Sequence, residues 1–514
     1  MFTTVLHDSI RVLLSCATGV IFLTGCVTKL YTPDLGGLYN ELVQSEDPYR
    51  NAIIAIPGIL GSRLKDSDSG DIVWGAFGPG SANPKNPADA RLIALPMREG
   101  VPLHELRDSI RPDGALDRVN ITFAGLRVQL KAYFYMLSTL GAAGYRDDQL
   151  GESGAVDYGK RHYTCFQYDY DWRRDIVESA QRLHEFILEK RAYVQAETEK
   201  RYGIKNLDVK FDIVAHSMGG LVARYYLRYG TADLPADGSL PPLTWAGSRY
   251  VENLVVVATP NAGSIDALIN LIEGRKVAPL LPKYQPAILG TMPSVYQLLP
   301  RTRHAPLVEV FDSGNQVRDV YDPALWEQLG WGLADPDQDS VLQMLLPDVK
   351  DRALRRQIAL DHQRKALQRA KQFAAAMDVP AALPDGVSLF LIAGDAVPTE
   401  AEVAIDAGNS AISVVSNAPG DGTVLRSSAL MDERVGSKRR GRLQSPIDWT
   451  NVQFLFRDHL GLTKDPAFTD NLLFYLFERP RSTERVSQAG TKTPGTRVHR
   501  RKQLLPKTKQ ARAP

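Results

Sequence analysis

The sequence predicts an α/β fold, a mostly parallel sheet with helices on both faces, and three observations predict it. Short runs rich in β-branched and apolar residues recur along the chain, among them Asn51–Ile56 (NAIIAI), Val209–Ala215 and Leu254–Ala258 (LVVVA). Such runs mark strands buried on both faces. Segments of helical spacing separate them, the rhythm of parallel strands joined by right-handed crossovers. Between one strand and one helix sits Ala215-His216-Ser217-Met218-Gly219-Gly220, which fits the sharp G-x-S-x-G turn with Ala215 in place of the first glycine. That turn needs small residues two before and two after the serine, where neighbouring backbone comes close. It lifts the Ser217 hydroxyl to the carboxyl edge of the sheet, at a helix N-terminus that favours negative charge.

Composition sets the outer bounds. The 514 residues are 44% hydrophobic and 23% charged, ordinary for a folded chain. The length allows two or three domains, or one α/β domain with a large insertion. A formal charge of +2 hides an asymmetry, because Arg479–Pro514 is rich in Lys and Arg and nearly free of acids. The body before it is mildly acidic and suggests no nucleic-acid surface.

Taken in order, residues 1–25 have the pattern of an export signal. Ile10–Leu23 is apolar, too short for a comfortable membrane span, and ends in Leu23-Thr24-Gly25-Cys26. That run is similar to a bacterial lipobox, which makes Cys26 the expected lipidation site; an ordinary signal peptide or short anchor is the alternative. With Cys16 removed and Cys26 acylated, Cys165 has no partner, so neither a disulfide nor a cysteine zinc site is expected. Residues 26–50 are a tether. The first part of the core spans 51–260 and carries a lid loop at about 65–115. In it the strand Asn51–Ile56 runs into Pro57-Gly58-Ile59-Leu60-Gly61, and Trp74 is either a local packing anchor or a lid residue. Phe123–Tyr145 has helical periodicity, Tyr163–Tyr168 is a strand, and Ile176–Tyr202 is a long amphipathic helix.

The strand rhythm stops over 261–385. Proline-broken short helices, Trp326, Trp331 and a basic helix over Asp361–Met377 make this an apolar cap. The core resumes over 386–478 with the strand Val387–Ala393, a polar hairpin or loop holding Gly420-Asp421-Gly422-Thr423-Val424, the strand Val452–Phe456 and a closing helix Phe468–Phe477. Residues 479–514 form a basic tail, low in apolar residues and expected to be disordered. It is either simply solvated or in contact with anionic lipid.

A serine hydroxyl is a poor nucleophile until a base takes its proton, and the base needs an acid to hold its tautomer. His459 follows the last strand, and Asp421 is presented from a glycine-flanked turn, giving the chain order Ser217, Asp421, His459 found in α/β-hydrolases. Asp395 is the rival acid; Asp458 is too close to His459 in sequence. His216 neighbours the serine, so its ring is expected to point elsewhere. His304 and His362 lie in the cap, and His162 precedes a strand.

In order along the chain, PGILGSRL, LGAAGYRDD, YDWR, AHSMGG, TPNAGS, PSVYQLLP, GDAVPT, GDGTV and the final His459 resemble the lecithin:cholesterol acyltransferase family and its lysosomal phospholipase relatives. The resemblance covers roughly residues 51–478. It implies an α/β-hydrolase fold with a helical cap and lid, and an acyl-serine intermediate. It assigns the oxyanion donors to the Ile59 and Met218 amides, and favours Asp421 over Asp395. Trp172 and Leu60 are candidate pocket residues, although Trp172 fits packing beside an Arg173 ion pair equally well. The sequence departs from the family at Ala215 and in lacking the lid disulfide of the animal enzymes.

The expectation is therefore a serine-dependent hydrolase or acyltransferase acting on phospholipid or related lipid esters, with water or an alcohol as acceptor. It needs no cofactor and no metal. The expected location is the bacterial cell envelope, anchored by Cys26 to the outer membrane facing the periplasm. Two alternatives stand beside it: an esterase or lipase on neutral esters without acyl transfer, and a non-enzymatic lipoprotein that keeps the fold as a binding module.

Overall fold

Six strands, all but the edge strand β6 fully buried, pair side by side: β1 (Ala52–Ile56), β2 (Cys165–Gln167), β3 (Phe211–His216), β4 (Val251–Val257), β5 (Ser388–Gly394) and β6 (Asn451–Leu455). The spatial order is β6-β5-β4-β3-β1-β2, and every pairing is parallel. The computed structural model describes residues 47–478, apart from 78–81, 117, 124–125, 132, 151–161, 277–280, 312–313, 407–409 and 435–441. The expected leader, Cys26, most of the tether and the basic tail lie outside the described residues.

Alternation along the strands divides the core in two. Ile54, Ile56, Ile213, Ala215, Leu254, Val256 and Leu391 face one apolar cluster, and Ile53, Ala55, Val214, Val255, Val257 and Ile392 face the other. Helices cover both sides. The first cluster takes in α2 (Ile176–Tyr202), α3 (Met218–Tyr229), α4 (Ile265–Glu273) and α5 (Arg352–Asp378). The second takes in α1 (Phe134–Ala142) and α6 (Pro466–Leu473). Each fully buried aliphatic side chain contributes about 1.5–3 kcal/mol of transfer free energy, which makes this double-sided burial the main support of the sheet. This is the α/β-hydrolase fold.

Strand register gathers the site-bearing loops. Ile56 stands opposite Ala215, Val257 opposite His216, and Gly394 opposite Leu455. The turns after β1, β3, β4, β5 and β6 therefore leave from one carboxyl edge, where open α/β sheets place their ligands.

The 261–385 segment is tied to α2 by polar side chains. Asp175 caps α2, accepting from the Val177 amide at 2.8 Å and from Gln297 Nε2 at 2.7 Å. Gln297 in turn accepts from the Ile176 amide at 2.7 Å. Arg369 on α5 closes on the same aspartate at 2.5 Å. Arg173, fully buried, binds Asp171 through Nε (2.9 Å) and Nη2 (2.7 Å), Asp108 at 2.8 Å, and the carbonyls of Leu92, Ile93 and Ala94. Burial works against ionisation of Asp171, but the Arg173 charge and its hydrogen bonds outweigh it and hold the carboxyl below the usual range. The network fastens the 87–115 segment to the turn after β2.

Several elements differ from expectation. Phe123–Tyr145 is helical only over Phe134–Ala142; before it, Arg118–Phe123 and Leu126–Lys131 pair as an antiparallel hairpin. The β-branched residues Val119, Ile121 and Thr122 suit that strand better than a helix. Ser62–Asp66 and Ile72–Trp74 pair as strands, with Ile110–Ala115 completing a small sheet. Trp74 is buried there, its Nε1 donating to the Leu60 carbonyl at 2.8 Å. Within the expected cap, Leu307–Phe311 pairs with Gly314–Val317 and, in parallel, with Val397–Ile405 from beyond it, which forms a hairpin with Ile412–Gly420. The helix α5 starts at Arg352, capped by Asp351, rather than at Asp361. Among the described residues no helix is long and apolar enough to cross a membrane.

Candidate active site

Ser217 occupies the single residue between β3 and α3, with φ 52° and ψ −127°. A non-glycine residue held there stores about 1–3 kcal/mol of backbone strain, and the flanking structure over-determines it. The Ser217 amide donates to the Val257 carbonyl at 2.7 Å, and the Gly220 amide donates back to the Ser217 carbonyl at 3.0 Å. The glycines are required by contact. A Cβ on Gly219 would lie 2.3 Å from the Pro57 carbonyl oxygen, and one on Gly220 would lie 2.0 Å from Thr259 Oγ1.

The turn after β1 packs directly on the elbow. A Cβ on Gly58 would stand 2.7 Å from Ser217 Cβ. Leu60 takes φ 64°, and its carbonyl accepts from Trp74. Among the described residues, the amides of Ile59 and Met218, at the ends of these two adjoining turns, have no hydrogen-bond partner.

Asp421 is built to present one oxygen. Its Oδ1 accepts from the amides of Thr423 (3.0 Å) and Val424 (2.7 Å), leaving Oδ2 for His459. Gly422 has φ 87°, and a Cβ on Gly394 would meet Asp421 Cβ at 2.7 Å, so the turn tolerates no bulk on either side. The TPNAGS run holds this loop from below. Ser264 Oγ donates to the Thr423 carbonyl at 2.6 Å, and the Ala262 amide donates to the Ser428 carbonyl at 3.1 Å. His459 follows β6, and its amide donates to the Asp421 carbonyl at 2.9 Å.

The side chains then meet. His459 Nδ1 lies 2.8 Å from Asp421 Oδ2, and His459 Nε2 lies 3.1 Å from Ser217 Oγ. Ser217 is 6% exposed and Asp421 is 2% exposed, so the ionic end of the chain of contacts is sealed from water. The arrangement can move a proton from a hydroxyl to an imidazole and hold the resulting charge.

The rival groups are occupied elsewhere. Asp395 pairs with Arg426 at 3.0 Å, and Asp458 Oδ1 accepts from the Gly461 amide at 2.5 Å. His304 lies 3.5 Å from Glu433, His362 Nε2 faces the Thr291 carbonyl at 3.0 Å, and His162 faces Glu197 at 3.8 Å. Trp172 is buried against Trp74, with ring centroids 5.2 Å apart, and its Nε1 donates to the Ser62 carbonyl at 3.2 Å. Cys165 is buried and free. Among the described residues no group of three or more His, Cys, Asp or Glu side chains is placed to hold a metal.

The His216 ring points away from the Ser217 hydroxyl, as expected, but not away from the site: it packs on the His459 ring, centroids 4.9 Å apart. Its Nε2 donates to the His459 carbonyl at 3.1 Å, and its Nδ1 lies 3.4 Å from the hydroxyl of Tyr133. Tyr133 also accepts from the Gly58 amide at 2.8 Å. Burial, then the neighbouring His459, push the His216 pKa down to about 3, and burial raises that of Tyr133 to about 12. The contact of His216 with His459 carried no sequence signal, because it depends on the sharp bend at Ser217. Tyr133 carried no sequence signal, lying between a hairpin and a short helix.

Comparison with known proteins agrees with this architecture. The family model described as lecithin:cholesterol acyltransferase matches residues 115–422, a span that includes Ser217 and Asp421 and stops before His459. No curated protein sequence matches the chain. Among solved structures, a chain of the Tle4–Tli4 complex aligns with a TM-score of 0.50 at 16% identity, covering 84% of this chain and 99% of that one. Lipase 1 from Pelosinus fermentans aligns more loosely, with a TM-score of 0.31 at 13% identity over 84% of this chain and 100% of its own. Mature Bacillus licheniformis lipase BlEst2 gives 0.30 at 14% identity, over 85% and 95% of the two chains. The first likeness is one of fold alone, and the other two are too loose to bear on either fold or function.

Proposed function

The chain belongs to the lecithin:cholesterol acyltransferase family, and on that premise we propose that it is a serine-dependent lipid acyl hydrolase or acyltransferase working through an acyl-serine intermediate. The observation that carries the reading is the continuous contact from Asp421 Oδ2 through His459 to Ser217 Oγ, at 2.8 and 3.1 Å.

In this mechanism His459 Nε2 takes the Ser217 proton as Oγ attacks the ester carbonyl carbon. Asp421 holds the imidazole in the tautomer that leaves Nε2 free, then stabilises the imidazolium. The carbonyl π-electrons move to oxygen, and the oxyanion is received by the Ile59 and Met218 amides. Loss of one such donor typically costs about 3–4 kcal/mol of transition-state stabilisation. Collapse breaks the bond to the alcohol, which leaves with the proton from His459. Water or a second alcohol then gives its proton to His459, attacks the acyl-serine and regenerates Ser217.

A phospholipid or related lipid ester suits the apolar cap over the sheet edge, since acyl chains must be buried while the ester meets the serine. We also propose that acylation of Cys26 anchors the protein to the envelope membrane. The test is a doubly informative assay. Phospholipid labelled in its acyl chain is incubated with a long-chain alcohol, and free fatty acid and new ester are counted separately. The reading expects at least one product from the parent and a loss on the order of 10⁶-fold for Ser217→Ala. A fluorophosphonate that leaves the folded parent unlabelled at Ser217 would refute it in favour of a binding module.

A further inference from the structure

The loops that supply the Ile59 amide and the His459 ring do not leave adjacent strands. They follow β1 and β6, and β3, β4 and β5 stand between those two strands in the sheet. Ladder register therefore does not fix their separation directly. Yet the oxyanion donor and the base must both stay within hydrogen-bond reach of one serine, and a displacement near 1 Å is enough to cost turnover.

One chain of hydrogen bonds crosses that gap. The Gly58 amide donates to the Tyr133 hydroxyl at 2.8 Å. The Tyr133 hydroxyl reaches His216 Nδ1 at 3.4 Å, and His216 Nε2 reaches the His459 carbonyl at 3.1 Å. The directions are self-consistent for one tautomer only. The Tyr133 hydroxyl accepts from Gly58 and donates to an unprotonated Nδ1, while the proton of a neutral His216 sits on Nε2 and is donated to His459. His216 comes from β3, at the foot of the elbow, so the bridge is anchored on the strand that carries Ser217.

We infer that Tyr133 and His216 are positioning residues, forming a buried bridge that sets the oxyanion turn and the His459 loop at a fixed distance on either side of Ser217. This rests on the triad mechanism proposed above and extends it to groups that never touch substrate. Neutrality of His216 is part of the device. A proton on Nδ1 would abolish its acceptor for Tyr133 and would put a second positive ring against the imidazolium that His459 must become, at a centroid distance of 4.9 Å. The group is buried among Tyr133, His459 and, through His459, Asp421, and the desolvation there keeps the neutral form.

The test is a mutant cycle on full-length protein, read by kcat and KM on a soluble ester, by the rate of fluorophosphonate labelling of Ser217, and by melting temperature. Tyr133→Phe and His216→Phe keep the rings and delete the bonds. Each is expected to lower kcat and the labelling rate by about 10- to 100-fold with KM within about twofold. His216→Gln, whose amide can still donate to the His459 carbonyl, recovers kcat to within about threefold of the parent. The double variant Tyr133→Phe/His216→Phe is no slower than the slower single, because both cut the same bridge. The inference is overturned if the folded single variants keep turnover within twofold of the parent, if their losses multiply, or if His216→Gln falls as far as His216→Phe. Should His216→Phe fail to fold, the cycle of Tyr133→Phe with His216→Gln decides: His216→Gln near parent and Tyr133→Phe slow supports the bridge, and equal parent-like rates overturn it. Labelling of the parent is scored separately. A parent that does not label refutes the triad mechanism itself, whereas a parent that labels beside indifferent variants refutes only the bridge.

Discussion

Adding one methyl group at Gly219 tests the contact between the serine elbow and the turn after β1. The residue lies in the first turn of α3 with ordinary helical backbone, so Gly219→Ala changes contacts rather than φ. The new Cβ would stand 2.3 Å from the Pro57 carbonyl oxygen and 2.9 Å from both Ile56 Cγ2 and the Ile56 carbonyl oxygen. A carbon and a carbonyl oxygen settle at about 3.3–3.6 Å, so the β1 turn and α3 must separate by about 1 Å. Overpacking of this kind costs about 1–3 kcal/mol of stability. The larger effect falls on rate. The displaced turn carries the Ile59 amide, and a shift of about 1 Å can cost about 100-fold in turnover. Gly141→Ala supplies the internal control. A Cβ there meets nothing within 4 Å, near the end of α1. That variant should gain about 0.5–1 kcal/mol, because alanine loses less conformational freedom than glycine in a helix. Urea melts and kcat on a soluble ester, measured for both, give opposite signs of stability and a rate loss only for Gly219→Ala. A Gly219→Ala protein that melts and turns over like the parent would refute the contact argument.

Three further outcomes follow from the same geometry. Asp421→Asn must present an NH₂ either to His459 Nδ1 or to the Thr423 and Val424 amides, so it disrupts the imidazole tautomer; kcat should fall about 10⁴-fold while fluorophosphonate labelling slows in parallel, and a loss under tenfold would argue for Asp395 instead. Burial holds His216 and His362 neutral, with pKa values pushed down to about 3 and about 4, whereas an unfolded histidine binds its proton near pH 6.5. Between those values the unfolded chain carries more protons, so stability falls as pH falls, by up to about 1.4 kcal/mol per pH unit per histidine. Urea melts between pH 6 and pH 4.5, on the order of that window, should show this decline, and His362→Gln, which keeps a donor for the Thr291 carbonyl, should make it about half as steep; an unaltered slope counts against buried-histidine control. Cys26→Ser should move the protein from the membrane pellet to the soluble fraction, since acyl chains contribute about 0.8 kcal/mol per buried CH₂; a variant that still pellets after alkaline washing excludes the anchor.

Most of the sheet was legible because every strand but β6 is buried on both faces, and buried runs such as AIIAI and VENLVVV announce themselves by composition. The long helix Ile176–Tyr202 was legible to the residue, since Asp175 and Gly203 cap it locally. Ser217, Asp421 and His459 could be singled out because each needs a local backbone device: an elbow, a glycine-flanked turn, and a loop after the last strand. What failed was partly non-local. Leu307–Phe311 forms a hairpin with Gly314–Val317 and is joined in parallel by Val397–Ile405, which arrives from far downstream. The second strand of the hairpin before α1 reads as helix because its apolar residues fit either period. The packing of His216 on His459 is invisible in the sequence, because it depends on how the β3 bend meets the β6 loop.

The order in which the sheet is laid down has a consequence for when the chain can act. β6 lies at one edge, is synthesised last among the six strands, and delivers His459. Under the proposed mechanism a nascent or truncated polypeptide already owns its nucleophile and carboxylate yet remains chemically silent. An enzyme that degrades lipid would thus stay latent throughout its own biogenesis, and acquire reactivity in the same event that completes its architecture.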